Sequence, residues 1–172
     1  MSAAGQLCPQ CGLCCNGVLF GDVELQRGDP AALLASKGIA IFRKERKQAF
    51  VQPCACLVGG LCNIYADRPR QCRAFECAQL RRVDGGQQSL SVALRKIQAA
   101  KKLSAEVARL CHALGQRDET MPLNRRYAAV MAEPMDLAGS ERELELRGEL
   151  MLAVGRLVET LERDFLVMDG GN

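Results

Sequence analysis

Nine of the ten cysteines lie between Cys8 and Cys77, and only Cys111 falls outside that stretch. In an exported chain such crowding reads as a disulfide framework. The start, from Met1 to Cys8, has neither a basic n-region nor an apolar h-region, and no apolar run is long enough to span a bilayer. The expectation is therefore a cytoplasmic protein, away from membranes, with reduced thiols. In that setting clustered cysteines bind metal or carry out redox chemistry.

Four thiols open the chain as Cys8-Pro9-Gln10-Cys11-Gly12-Leu13-Cys14-Cys15, a C-x-x-C-x-x-C-C run that reads as a turn-rich loop over residues 8–16. Thiolates three residues apart grip one ion while backbone N–H groups turn towards sulfur, and Gly12 permits the left-handed conformation of such a knuckle. A lone C-x-x-C is shared with redox dithiols, but those sit between the strand and helix of a βαβ unit, and no such pattern surrounds this one. The second group, Cys54, Cys56, Cys62, Cys72 and Cys77, is spaced more widely, so the fold must place each sulfur. Pro69 suits the first position of a helix through Cys72 and Phe75. There the helix dipole and Arg68, Arg70 and Arg73 are expected to favour the Cys72 thiolate. Cys72 and Cys77 fall about 140° apart on a regular helix, so either the helix ends between them or they face different sites.

These motifs, together with Pro53-Cys54-Ala55-Cys56-Leu57, Gly60-Leu61-Cys62-Asn63-Ile64-Tyr65, Arg68-Pro69 and Cys72-Arg73-Ala74-Phe75-Glu76-Cys77, resemble the bacterial YkgJ-type CxxCxxCC cysteine-cluster family. The resemblance covers roughly residues 8–77. It implies a zinc- or iron-chelating domain with eight ligands: Cys8, Cys11, Cys14, Cys15, Cys54, Cys62, Cys72 and Cys77. Family members are often labelled iron–sulfur oxidoreductases, and Cys56 stands where they more often carry an apolar or aromatic residue. Spacing leaves the cofactor open between zinc and an iron–sulfur cluster, since both accept tetrahedral thiolates. Eight ligands equal two four-cysteine sites, or one site with spare sulfurs. In either case the sulfurs are expected to converge on one region.

The rest of the chain reads as a framework. Residues 18–25 have β character, Asp29 is placed to cap a helix over residues 31–37 that stops at Gly38, and residues 39–42 and 49–52 pair across a basic turn. After Gly85-Gly86, apolar residues from Leu90 to Leu114 and from Leu123 to Met131 recur at helical spacing. Ser140-Glu141-Arg142-Glu143 reads as a capping box starting a helix that runs to Phe165. With aromatics at 4% and no Trp, the core must be aliphatic. The expected fold is an α-rich α+β protein. Its irregular, metal-organised cysteine region, residues 1–84, is packed as one unit with a helical region, residues 85–172.

Residues 78–117 carry 8 basic and 2 acidic side chains, net +6, and residues 118–172 carry 6 basic and 12 acidic, net −6. Complementary helical faces explain this better than nucleic acid, because no aromatic stacking platform accompanies the basic residues. The expected partners are thus a metal ion and, if the metal is structural, a protein. The alternative is an iron–sulfur oxidoreductase or protein-modifying enzyme. His112 and Cys111 sit in a helical stretch and read as packing or surface residues, Tyr65 as a buried ring with one hydrogen bond, and Asp67 as a turn residue.

Overall fold

The computed structural model describes residues 2–134 and 140–166. The chain opens with helix α1 (Ala3–Cys11), not with the expected loop: the Ser2 hydroxyl accepts from the Gly5 N–H at its start, and Gly12, at φ 70°, ends it in the left-handed conformation. The knuckle glycine behaves as read, but Cys8 and Cys11 ride on the last turn of a helix.

A three-stranded antiparallel sheet follows, in the order β1 (Asp22–Glu24), β3 (Lys47–Val51), β2 (Ile41–Lys44), with Val23 opposite Phe50 and Ile41 opposite Phe50 on its other edge. The β2–β3 hairpin forms as expected, but its strands run into the basic segment, pairing Arg43 with Gln48 and Lys44 with Lys47, so that only Glu45-Arg46 is left as the turn. Helix α2 (Ala31–Ser36) is also where expected, but Asp29 does not cap it. The Asp29 carboxylate instead accepts from Gln26 N–H (2.8 Å) and, across 41 positions, from Arg70 N–H (2.8 Å). The Arg70 amide is an orphan donor at the start of helix α3 (Arg70–Ala74), which Pro69 precedes as its cap.

Strands β4 (Leu57–Val58) and β5 (Leu61–Cys62) form a minimal hairpin over the Gly59-Gly60 turn. Helix α4 (Ala78–Asp84), which has no strong periodic signal, begins at Cys77. The three longest helices are α5 (Leu90–Ala113), α6 (Leu123–Ala132) and α7 (Glu141–Leu161), and a π-helical turn over Glu162–Leu166 closes α7. Helix α7 starts at Ser140, yet the capping box does not form: Ser140 makes no side-chain cap, and Glu143 turns to Arg147 (3.0 Å), whose guanidinium also donates to the Val130 carbonyl (2.8 Å). A buried arginine needing acceptors outcompetes an exposed cap. Some of the complementary charge is realised, in Lys96–Asp164 (2.9 Å), while Arg156–Glu106 (3.1 Å) joins the same two segments with the signs reversed.

Two apolar cores result. The larger joins Leu7 and Leu13 to Ile97, Val107 and Leu110 of α5, Val130 of α6, and Leu150, Leu157 and Phe165 at the C-terminal end. The smaller comprises Val23, Leu25, Leu34, Ile39, Phe50, Cys56 and Ile64 around the sheet. The cysteine-rich half and the later helices thus pack together in an α-rich α+β fold. Among the described residues, no helix is long and apolar enough to cross a membrane.

Candidate metal centre

The cysteine-bearing segments meet at the seam between the two cores, each fixed by a different device. Helix α1 delivers Cys8 and Cys11. The turn after it, closed by Cys15 N–H to Gly12 O (2.9 Å), delivers Cys14 and Cys15. Cys54 N–H donates to Cys15 O (2.8 Å), which binds the second cysteine segment directly to the first. Cys62 pairs with Leu57 in the β4–β5 hairpin. Cys72 sits on α3, which is held to the sheet by Asp29 and by Glu24 N–H donating to Gln71 Oε1 (2.8 Å). Helix α3 ends at Ala74, so Cys77 leaves it and caps α4 instead. That resolves the 140° conflict: the helix stops between the two cysteines.

All ten cysteines are free thiols. Seven of the eight singled out by sequence line one largely apolar cavity of about 660 Å3, and Cys54 adjoins it through Cys15. The thiols stand around this space rather than touching: among the described residues, no three His, Cys, Asp or Glu side chains are gathered closely enough to grip a single ion. Within the cavity the sulfurs fall into two sets. Cys11 and Cys14 sense the charge of Cys8 and Cys77, whereas Cys15 and Cys72 share Cys54 and Cys62 as neighbours. Packing divides them the same way, with Cys11 and Cys77 against the helical core and Cys54, Cys62 and Cys72 against the sheet core. Cys8 and Cys14 lie next to Cys15, so the sets adjoin.

Burial is the main force on these thiols. It pushes Cys11 and Cys15 up to about 11 and Cys72 to about 12, with neighbouring thiols adding to the rise, and it raises Cys8, Cys14 and Cys54 as well. The expectation that dipole and arginines favour a Cys72 thiolate is therefore overturned: Arg70 and Arg73 are exposed, and Arg68 alone of the three opposes the burial of Cys72. Arg68 also acts on Cys8 and Cys15 and so stands beside both sets; Lys101, which donates to Gln10 O (3.0 Å), acts on Cys11. The backbone N–H of Leu13 donates to the Cys11 sulfur, and that of Cys56 to the Cys54 sulfur, as a metal knuckle requires.

The remaining candidates separate. Cys56 is buried in the sheet core with its sulfur 3.7 Å from Lys37 O. Cys111 is buried in the helical core, away from the seam, and His112 next to it is exposed. Tyr65 is not a buried ring: it is 52% exposed, with the Arg68 guanidinium 3.6 Å above its face and Arg68 Nε donating to its own carbonyl. Sequence reasoning missed Lys101, which lies 24 residues beyond Cys77; its only signal was a basic residue one helical turn from Ile97.

Gly60 sets how closely the hairpin approaches α1. It is left-handed (φ 83°), and a Cβ there meets the Pro9 carbonyl at 3.0 Å. Gly60→Ala is expected to cost about 1–3 kcal/mol, read as a lowered urea midpoint at unchanged slope. A loss no greater than that of Gly148→Ala, a helical site with open space around it, contradicts the close approach.

A family model described as "CxxCxxCC: Putative zinc- or iron-chelating domain" matches residues 7–111. The match runs past the cysteine motifs to the end of α5, consistent with α1 and α5 sharing one core. Neither a curated protein nor a solved structure matches the chain.

Proposed function

The chain belongs to the CxxCxxCC family, a zinc- or iron-chelating domain by description, and from that premise we propose that its eight clustered cysteines hold two adjacent metal centres. Cys8, Cys11, Cys14 and Cys77 serve one, and Cys15, Cys54, Cys62 and Cys72 serve the other. The observation carrying this reading is the grouping of the thiols by mutual proximity, matched by the packing of Cys11 and Cys77 on the helical core and of Cys54, Cys62 and Cys72 on the sheet core.

The donor set fits: soft thiolates without an oxygen ligand suit zinc or iron–sulfur chemistry and exclude hard cations. Cavity size supports iron–sulfur clusters over lone ions. A zinc ion draws four sulfurs to about 2.3 Å and needs no space between them, whereas about 660 Å3 of sulfur-lined room suits clusters that bring their own sulfide. Such clusters supply one-electron exchange. The chain's part is electrostatic and steric. Arg68 and Lys101 offset the negative charge of the thiolates, the Leu13 and Cys56 amides hydrogen-bond to sulfur, and Leu7, Leu80 and Ile97 with the edge-on pair Phe20–Phe75 exclude water. Cys8, the exposed member, marks the side open to a redox partner.

Anaerobic purification followed by metal and acid-labile sulfide analysis tests this. Iron and sulfide in near-equal amounts, enough for two clusters, are expected, with brown colour that bleaches on reduction. Zinc without sulfide overturns the iron–sulfur assignment, and metal for a single centre overturns the pairing.

A further inference from the structure

On the far side of α4 from the thiols lies a second concavity, of about 680 Å3, where α4, α5 and the end of α7 come together. Its polar lining is Arg82, Arg95, Lys96, Thr160, Arg163 and Asp164, four cations against one carboxylate. Asp164 has a side chain only 7% exposed and is held by Lys96 (2.9 Å) and Arg163 (2.8 Å), so it fixes both cations at the groove while neutralising only one charge. Arg163 also lies 3.7 Å from Glu159. Arg82 and Arg95 have no carboxylate partner among the described residues. The groove is built rather than incidental: buried Gln79, which lines the thiolate cavity, donates its amide N–H to the Asp164 carbonyl and accepts from Gln88 Nε2 (2.7 Å), pinning the π-turn against α4.

We propose that this groove binds a phosphate-bearing small molecule of nucleotide size, with Arg82 and Arg95 as its phosphate ligands beside the fixed pair Lys96 and Arg163. Guanidinium forks match phosphate oxygens two at a time, and here two of them face one concavity with no carboxylate partner among the described residues. Thr160 offers a hydroxyl, and Val92 and Ala99 give an aliphatic floor for the uncharged part of the ligand. No aromatic ring lines the groove, which disfavours a nucleic-acid strand. The site stands apart from the metal assignment and is tested without it.

Isothermal titration calorimetry of the full chain with pyrophosphate and with ATP should give saturable one-to-one binding, tighter for ATP. Each charge-assisted contact contributes about tenfold, so the double variant Arg82→Gln/Arg95→Gln should weaken pyrophosphate by about a hundredfold. The charge-matched control Arg125→Gln/Arg142→Gln, at exposed sites elsewhere, should change it little. Because a variant can misfold, amide shifts of the unaltered protein on adding pyrophosphate provide a second reading, and should centre on Val92, Arg95 and Thr160. Absence of saturable binding, equal loss in both double variants, shifts centred elsewhere, or binding only to a single-stranded oligonucleotide overturns the proposal.

Discussion

Cys11→Ser and Cys62→Ser, one from each set, are each expected to remove about half of the bound metal, and the double variant nearly all of it. The expectation follows from the two sets packing on different cores, so that breaking one leaves the other's sulfurs in place. Cys111→Ser, buried in the helical core, should leave metal content unchanged and cost only the modest stability of a polar atom placed among apolar ones. Metal analysis of the four proteins checks this. Complete loss in either single variant points to one shared centre, and equal loss in Cys111→Ser contradicts the site altogether.

Stripping the metal under reducing, anaerobic conditions should have the largest effect on stability, on the order of 10 kcal/mol by analogy with structural metal sites. The damage should be local. Among the described residues the sheet core has seven buried side chains and two strands of only two residues each, against seventeen buried side chains in the helical core. Hydrogen exchange should therefore become fast over residues 50–77 while α5 and α7 stay protected. Uniform deprotection of both halves contradicts the separation.

The stripped protein should also be sensitive to alkali. Cys11, which packs on the helical core that stays folded, has a folded value raised above the ordinary 9.0 to about 11. A raised folded value favours the fold fully below the unfolded value, and that contribution disappears as pH rises through the folded one. Stability of the stripped protein should hold up to about pH 9 and fall from there towards 11. At neutral pH such a thiol is protonated, so Zn2+ titrated into the stripped protein should release protons, measurable in weakly buffered solution.

The sequence by itself determined the elements whose causes are local. The α5 and α7 stripes need only period-3.6 burial, the β2–β3 hairpin needs a basic turn between apolar runs, and Gly12 and Gly38 end helices because their neighbours require a left-handed residue. The cysteine motifs likewise carried both the family and the eight residues that gather at the seam, because C-x-x-C geometry lies within one turn of chain. Tertiary structure decided what depends on competition between distant groups. Asp29 went to the Arg70 amide of α3, Glu143 to the buried Arg147, and Tyr65 out to solvent beneath Arg68. It also decided the pairing of thiols. Spacing puts Cys14 and Cys15 side by side, yet Cys14 lies with Cys77 and Cys15 with Cys54, 39 positions away. Burial, a property of the whole fold, then reversed the charge expected for Cys72, because desolvation in an apolar cavity outweighs the one arginine near enough to oppose it.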